Sequence, residues 1–82
     1  MKKLDKLKKE ILAKSKGKGM RELITLDRSC YRKKLSTNMG FGANDLKPMY
    51  FELYMWMCKK FGQKLIAKPI SLQEMRISFH LQ

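Results

Sequence analysis

Cysteine, histidine and acidic residues are all scarce in this chain, and each shortage excludes something. Cys30, Cys58 and His80 are its only cysteine and histidine residues. They form no C-x-x-C pair and cannot supply a closed zinc site, which takes four such ligands in compact spacing. The longest uninterrupted apolar run, Leu53 to Cys58, falls far below the roughly 20 residues a membrane-spanning helix needs. The N-terminal charges never give way to an apolar h-region, so no secretory signal is read. With nothing to suggest secretion, no Cys30–Cys58 disulfide is expected, and the chain reads as reduced, soluble and cytoplasmic. Gly17-Lys18-Gly19 and Gly40-Phe41-Gly42 lack the G-x-x-x-x-G-K-[ST] pattern of a phosphate-cradling loop. There is no internal repeat, no cofactor signature and no nucleophile–base spacing to support catalysis, so the expectation is a binding protein and not an enzyme.

Acids number seven against nineteen Lys and Arg, for a formal charge of +12 on 82 residues. Residues 1–36 carry thirteen of the bases and four of the acids, so the front of the chain is the electrostatic half. Positive charge at this density opposes compaction unless a polyanionic partner uses it. Fifteen of the bases are lysines and only Arg21, Arg28, Arg32 and Arg76 are arginines. Lysine is a hydrated point charge, whereas arginine offers the planar fork that reads a base edge. That balance favours contact with a phosphate backbone over base reading. An apolar fraction of 44% is enough for one small core, and a chain this short buries only about two-thirds of its unfolded surface.

Leu4, Leu7 and Ile11, with Leu12 at the edge, give a narrow apolar stripe and predict a helix over about Lys3 to Ser15, ended by Gly17 and Gly19. Asp5→Lys9 and Glu10→Lys14 have the favourable i, i+4 orientation. Leu23-Ile24-Thr25-Leu26 suits a short strand, after which Asp27 caps a helix from Arg28 to Leu35. One longer helix broken by Asp27 fits the same residues. Ser36 to Asp45 reads as a loop. Asp45 as N-cap, Pro48 in the first turn and Gly62 as the stop bound a helix over Leu46–Phe61, apolar on nearly every side except a Glu52/Lys59 sector. Met75, Ile77, Phe79 and Leu81 alternate with polar residues, the period of a half-buried strand, and Lys64–Ile70 is its partner in a hairpin with Pro69 at an edge. Ser71-Leu72-Gln73-Glu74 also matches a helix capping box.

The expected fold is therefore a small α+β domain in the order helix, strand, helix, helix, strand, strand. Residues 1–19 form a basic helix with a glycine-containing joint, and 20–82 form the core. The order and size are similar to those of winged-helix DNA-binding domains. The position of their groove-reading helix, however, falls on the apolar Leu46–Phe61 segment, and no family is assigned.

Candidate nucleic-acid contacts are Lys2, Lys3, Lys6, Lys8, Lys9, Lys14, Lys16 and Lys18, with Arg28, Arg32, Lys33 and Lys34 as a second cluster around Tyr31. Neutralising phosphates releases counterions, so affinity for DNA or RNA should fall steeply with salt. Deleting residues 1–19 is expected to remove this affinity and leave the rest folded. The Met/aromatic helix offers Tyr50, Tyr54, Met55 and Trp56 as a protein interface, to a homodimer or an acidic partner. This gives the alternative function, a small inhibitor or accessory factor. A membrane surface is the weakest partner, because the N-terminal stripe is narrow and lacks Trp and Phe. Glu52 reads as solvent-facing, Tyr31 as packed in the core, and His80 as a surface strand residue.

Overall fold

The computed structural model describes residues 2–17, 21–32, 43–71 and 74–82. Helix α1 spans Lys3–Ser15 and strand β1 Arg21–Leu26; α2 covers Pro48–Phe61, and β2 (Leu65–Ser71) and β3 (Arg76–Leu81) form the hairpin. The three strands make one antiparallel sheet in the order β1-β3-β2, with β3 in the centre. The expected α+β class, N-terminal basic helix, apolar helix and C-terminal hairpin are all present.

Cross-strand pairing sorts the sheet into two faces. Leu26–Ile77–Pro69, Ile24–Phe79–Ala67 and Leu81–Leu65 share one face, and Thr25–Ser78–Lys68 and Glu22–His80–Ile66 share the other. The helices cover the first face, where Tyr54 of α2 packs its ring 5.8 Å from that of Phe79. A bulge between Glu22 and Ile24 leaves Leu23 without a paired residue and lets it join the core beside Leu26.

The core takes at least one residue from every layer: Ile11 from α1, Leu23 and Leu26 from β1, Leu53 and Met57 from α2, Ile77 and Phe79 from β3. Burying such a side chain contributes about 1.5–3 kcal/mol. Ile11 is only 1% exposed, and Leu4 and Leu7 pack beside it. Helix α1 thus shares the core that holds the sheet.

Two expectations need correction. Arg28–Cys30 is a single 3₁₀ turn, and Tyr31 is already extended at φ −104°, ψ 148°. The Arg28–Leu35 helix therefore does not form where the chain is described, and the part over residues 33–35 lies outside the described residues. Asp27 does cap the turn, its carboxylate accepting from the Ser29 amide at 2.9 Å. Tyr31 leaves the turn to bridge Leu46. This pairing is reinforced by the Arg32 amide donating to Asp45 at 2.7 Å and the Lys47 amide donating to Cys30 at 2.8 Å. Those tertiary bonds take the Arg32 amide and the Cys30 carbonyl, two groups that a helix would use. The helix pair that the winged-helix order requires is thus absent from the described residues.

The second correction concerns the start of α2. It begins at Pro48 with Lys47 as N-cap, because Ala43–Asp45 forms its own 3₁₀ turn. Gly62 ends α2 as expected, with φ +57° and ψ −131°, a conformation that strongly favours glycine. Ser71 caps a turn and not a helix: its hydroxyl accepts from the Glu74 amide at 3.3 Å, and Met75 then adopts φ +53° while buried. No helix among the described residues is long and apolar enough to cross a membrane.

Candidate nucleic-acid interface

The eight lysines named in the first eighteen residues divide by helix geometry. At about 100° per residue, Lys2, Lys6, Lys9, Ala13 and Lys16 fall within an arc of about 80° on the side of α1 opposite Leu4 and Ile11. These four lysines are exposed. They form a row about 21 Å long, at about 1.5 Å of rise per residue. Asp5 and Glu10 border the row without closing an ion pair within 4.0 Å among the described residues. Lys18 lies outside the described residues.

Lys3, Lys8 and Lys14 flank the buried stripe and are used within the fold. Lys3 Nζ stands 5.8 Å from the centre of the Tyr50 ring, and Lys8 Nζ stands 5.6 Å from that of Trp56. Lys14 donates to the Leu23 carbonyl at 3.4 Å and ties α1 to β1, in place of the expected pair with Glu10. The expected uniform patch is therefore an outward row of four with an inner set of three that helps to hold α1 down.

The second basic cluster does not assemble as expected. Arg28 lines an open cavity of about 450 Å³ with Asp27, Glu74 and Arg76, where two acids balance two bases. Arg76 pairs with Glu74 at 3.6 Å. Arg32 instead donates its guanidinium to the Asn44 carbonyl at 2.7 Å, beside a cavity of about 360 Å³ shared with Leu46, Pro48 and Phe51. With no helix joining them, the two arginines do not share a face. Lys33 and Lys34 lie outside the described residues.

The four interface candidates on α2 also separate. Tyr54 is half-buried against Phe79, and a hydrogen bond with Cys58, aided by burial, raises its hydroxyl pKa above the ordinary value. Tyr50 and Trp56 are half-buried beneath the α1 lysines, and Trp56 meets Phe61 edge-on, with centroids 6.2 Å apart. Met55 is half exposed, and Phe51, one turn before it, is 37% exposed. Phe51 was missed; its i, i+4 spacing to Met55 on the Glu52/Lys59 side was the available signal. Ile70, 52% exposed on edge strand β2, was missed as well.

On the other sheet face Ser78 is almost fully buried between Glu22 and His80. Its hydroxyl lies 3.4 Å from the Glu22 carboxylate and 2.7 Å from His80 Nε2, and Thr25 also donates to Glu22. The Thr25 hydrogen bond, and then that of Ser78, hold the Glu22 carboxyl below its ordinary value. His80 is thus placed with Ser78, away from Cys30 in the core and Cys58 on α2. Both cysteines are free thiols. Tyr31 is buried in the core, which pushes its hydroxyl up to about 12. No group of three or more potential metal ligands occurs among the described residues. Compared with protein-family models, curated proteins and solved structures, the chain matches none.

Proposed function

We propose that this protein binds nucleic acid through the phosphate backbone, with little base specificity, and acts as a small regulator. The observation that carries the reading is the exposed row Lys2, Lys6, Lys9 and Lys16 on a helix whose opposite side is fixed in the core. Like charges one helical turn apart each cost a few tenths of a kcal/mol. A rigid row of this kind presents several ammonium groups to a polyanion with little backbone ordering left to lose on binding. The scarcity of arginine, and the engagement of Arg32 with Asn44, favour phosphate contact over base reading. The test is an anisotropy salt titration of the full chain against labelled single- and double-stranded DNA and RNA. A linear log–log dependence carrying about 0.7–0.9 per lysine contact is expected; binding that has vanished well below physiological salt would refute the reading.

Exposed Phe51 and Met55 on α2 favour a second reading, in which this face docks on a protein partner. Such an interface would persist in moderate salt, because apolar burial is not screened. The same titration therefore separates the two.

A further inference from the structure

The seam between α1 and α2 alternates cation and ring: Lys3 stands over Tyr50 and Lys8 over Trp56, in the same order along both helices. Both rings are half-buried and packed against the core, with a lysine ammonium over each. Trp56 is further held edge-on by Phe61, so its indole is a preset platform. We propose that Trp56 is a base-stacking site that directs the protein to single-stranded nucleic acid. This rests on the phosphate-binding reading of the lysine row and adds the class of polymer to it.

Displacement supplies the mechanism. An exposed cation over an aromatic face is a weak contact, and a nucleobase stacked on the same face is a stronger one. A base entering the seam lifts Lys8 from the indole, and the freed ammonium is then available to the adjoining phosphate. Neither group is left without a partner. A duplex offers no such exchange, because its base faces are already stacked on one another, and it can use only the outward lysines. The site is tolerant of sequence, since every base has a π-face.

Trp56 is the only tryptophan in the chain, so its emission reports the site directly in the unaltered protein. The experiment titrates the full chain with unlabelled oligo(dT), oligo(rU), a duplex of equal phosphate number and inorganic polyphosphate, with binding followed in parallel by anisotropy. Trp56 emission is expected to fall saturably with one or both single strands, at the anisotropy midpoint, and to change little with duplex or polyphosphate. The DNA and RNA arms identify which single strand is preferred. Trp56→Leu should weaken single-strand binding by about 5-fold or more and leave duplex binding nearly unchanged, while Trp56→Phe retains most of it. Single-strand binding without a change in emission, or an equal change with polyphosphate, overturns the stacking site and leaves the phosphate reading in place. Absence of binding to every polyanion overturns both. If Trp56→Leu fails to fold by circular dichroism, the emission arms on the unaltered chain still decide.

Discussion

Helices α1 and α2 bury stripes against the same sheet and differ in what they do with the rest of their surface. On α1 the stripe is Leu4, Leu7 and Ile11, and most of the remainder is lysine; on α2 the stripe is Leu53 and Met57, and most of the remainder is apolar or aromatic. The contrast shows how 82 residues can be both folded and strongly basic. One helix carries charge that works against compaction, and the other carries the apolar surplus that offsets it. The two surfaces meet where the ammonium groups of Lys3 and Lys8 lie over Tyr50 and Trp56.

The largest expected effect would break this comparison if it failed to appear. Ile11→Ala removes a side chain that is 1% exposed in the core and should cost about 2–5 kcal/mol, as should Leu53→Ala on α2. A chain of this size has a total stability of about 4–12 kcal/mol, so either variant should be visibly destabilised in urea melts followed by circular dichroism. Equal costs would show that both helices belong to one cooperative unit. That outcome would overturn the expectation that deleting residues 1–19 removes polyanion affinity and leaves the rest folded. A cost below about 1 kcal/mol for Ile11→Ala would restore α1 as an independent arm.

The next effect separates the two sets of lysines. Replacing Lys2, Lys6, Lys9 and Lys16 together with Gln should lower the salt slope by about 3 on single strands and about 4 on duplex. Folding stability should hold or rise by a few tenths of a kcal/mol for each relieved like-charge pair. Replacing Lys3, Lys8 and Lys14 should instead leave the duplex slope nearly unchanged and cost stability, about 0.5–1 kcal/mol for each of the two ring contacts removed. Added salt should divide the protein in the same way, raising its melting temperature by screening self-repulsion while weakening polymer binding. If the two quantities moved together with salt, charge would not be the opposing term in the fold.

Much of the architecture was legible because period and punctuation agreed. The 3.6-residue stripe of α1, Gly62 after α2 and the alternation through Ile77–Leu81 each reported a local preference that packing then reinforced. The segment after Asp27 was not legible for a physical reason. Its amides and carbonyls are claimed by Asp45 and Lys47, fifteen or so residues away, and no local pattern carries that information. The site was half legible in the same sense. Composition pointed to lysine, but the division into an outward row and an inner set depends on which residues α2 and β1 place beneath α1.

Acid sharpens the comparison at a smaller scale, because it removes the charge of the carboxylate that caps the turn after β1. Hydrogen bonds from Ser29, side chain first and then backbone, hold the Asp27 carboxyl below its ordinary value. A depressed folded pKa contributes stability that is present above the unfolded value of about 4 and is lost as pH falls through the folded one. Asp27→Ala should cost about 1 kcal/mol at neutral pH, and less below pH 4, where the wild type has lost the same contribution. Denaturation midpoints of the two proteins should converge as pH drops. Parallel curves would mean that the cap contributes nothing through its charge.

The smallest effect is expected on the outer side of α2, and its smallness is informative. Phe51 and Met55 are 37% and 50% exposed, so they bury much less than Leu53 on the same helix, which is 0% exposed. Glutamine is a good helix former, so Phe51→Gln with Met55→Gln should change stability by no more than about 0.5 kcal/mol for each site. That result would leave the outward face of α2 free of any structural duty and available to a partner. A loss well beyond that range would mean the face is covered in solution, and its dependence on protein concentration would then show whether a second copy covers it. The charge on α1 bears on the same question. Two chains of +12 each repel strongly at low salt, so association through α2 would have to strengthen as salt is added, opposite to the trend expected for binding a polyanion.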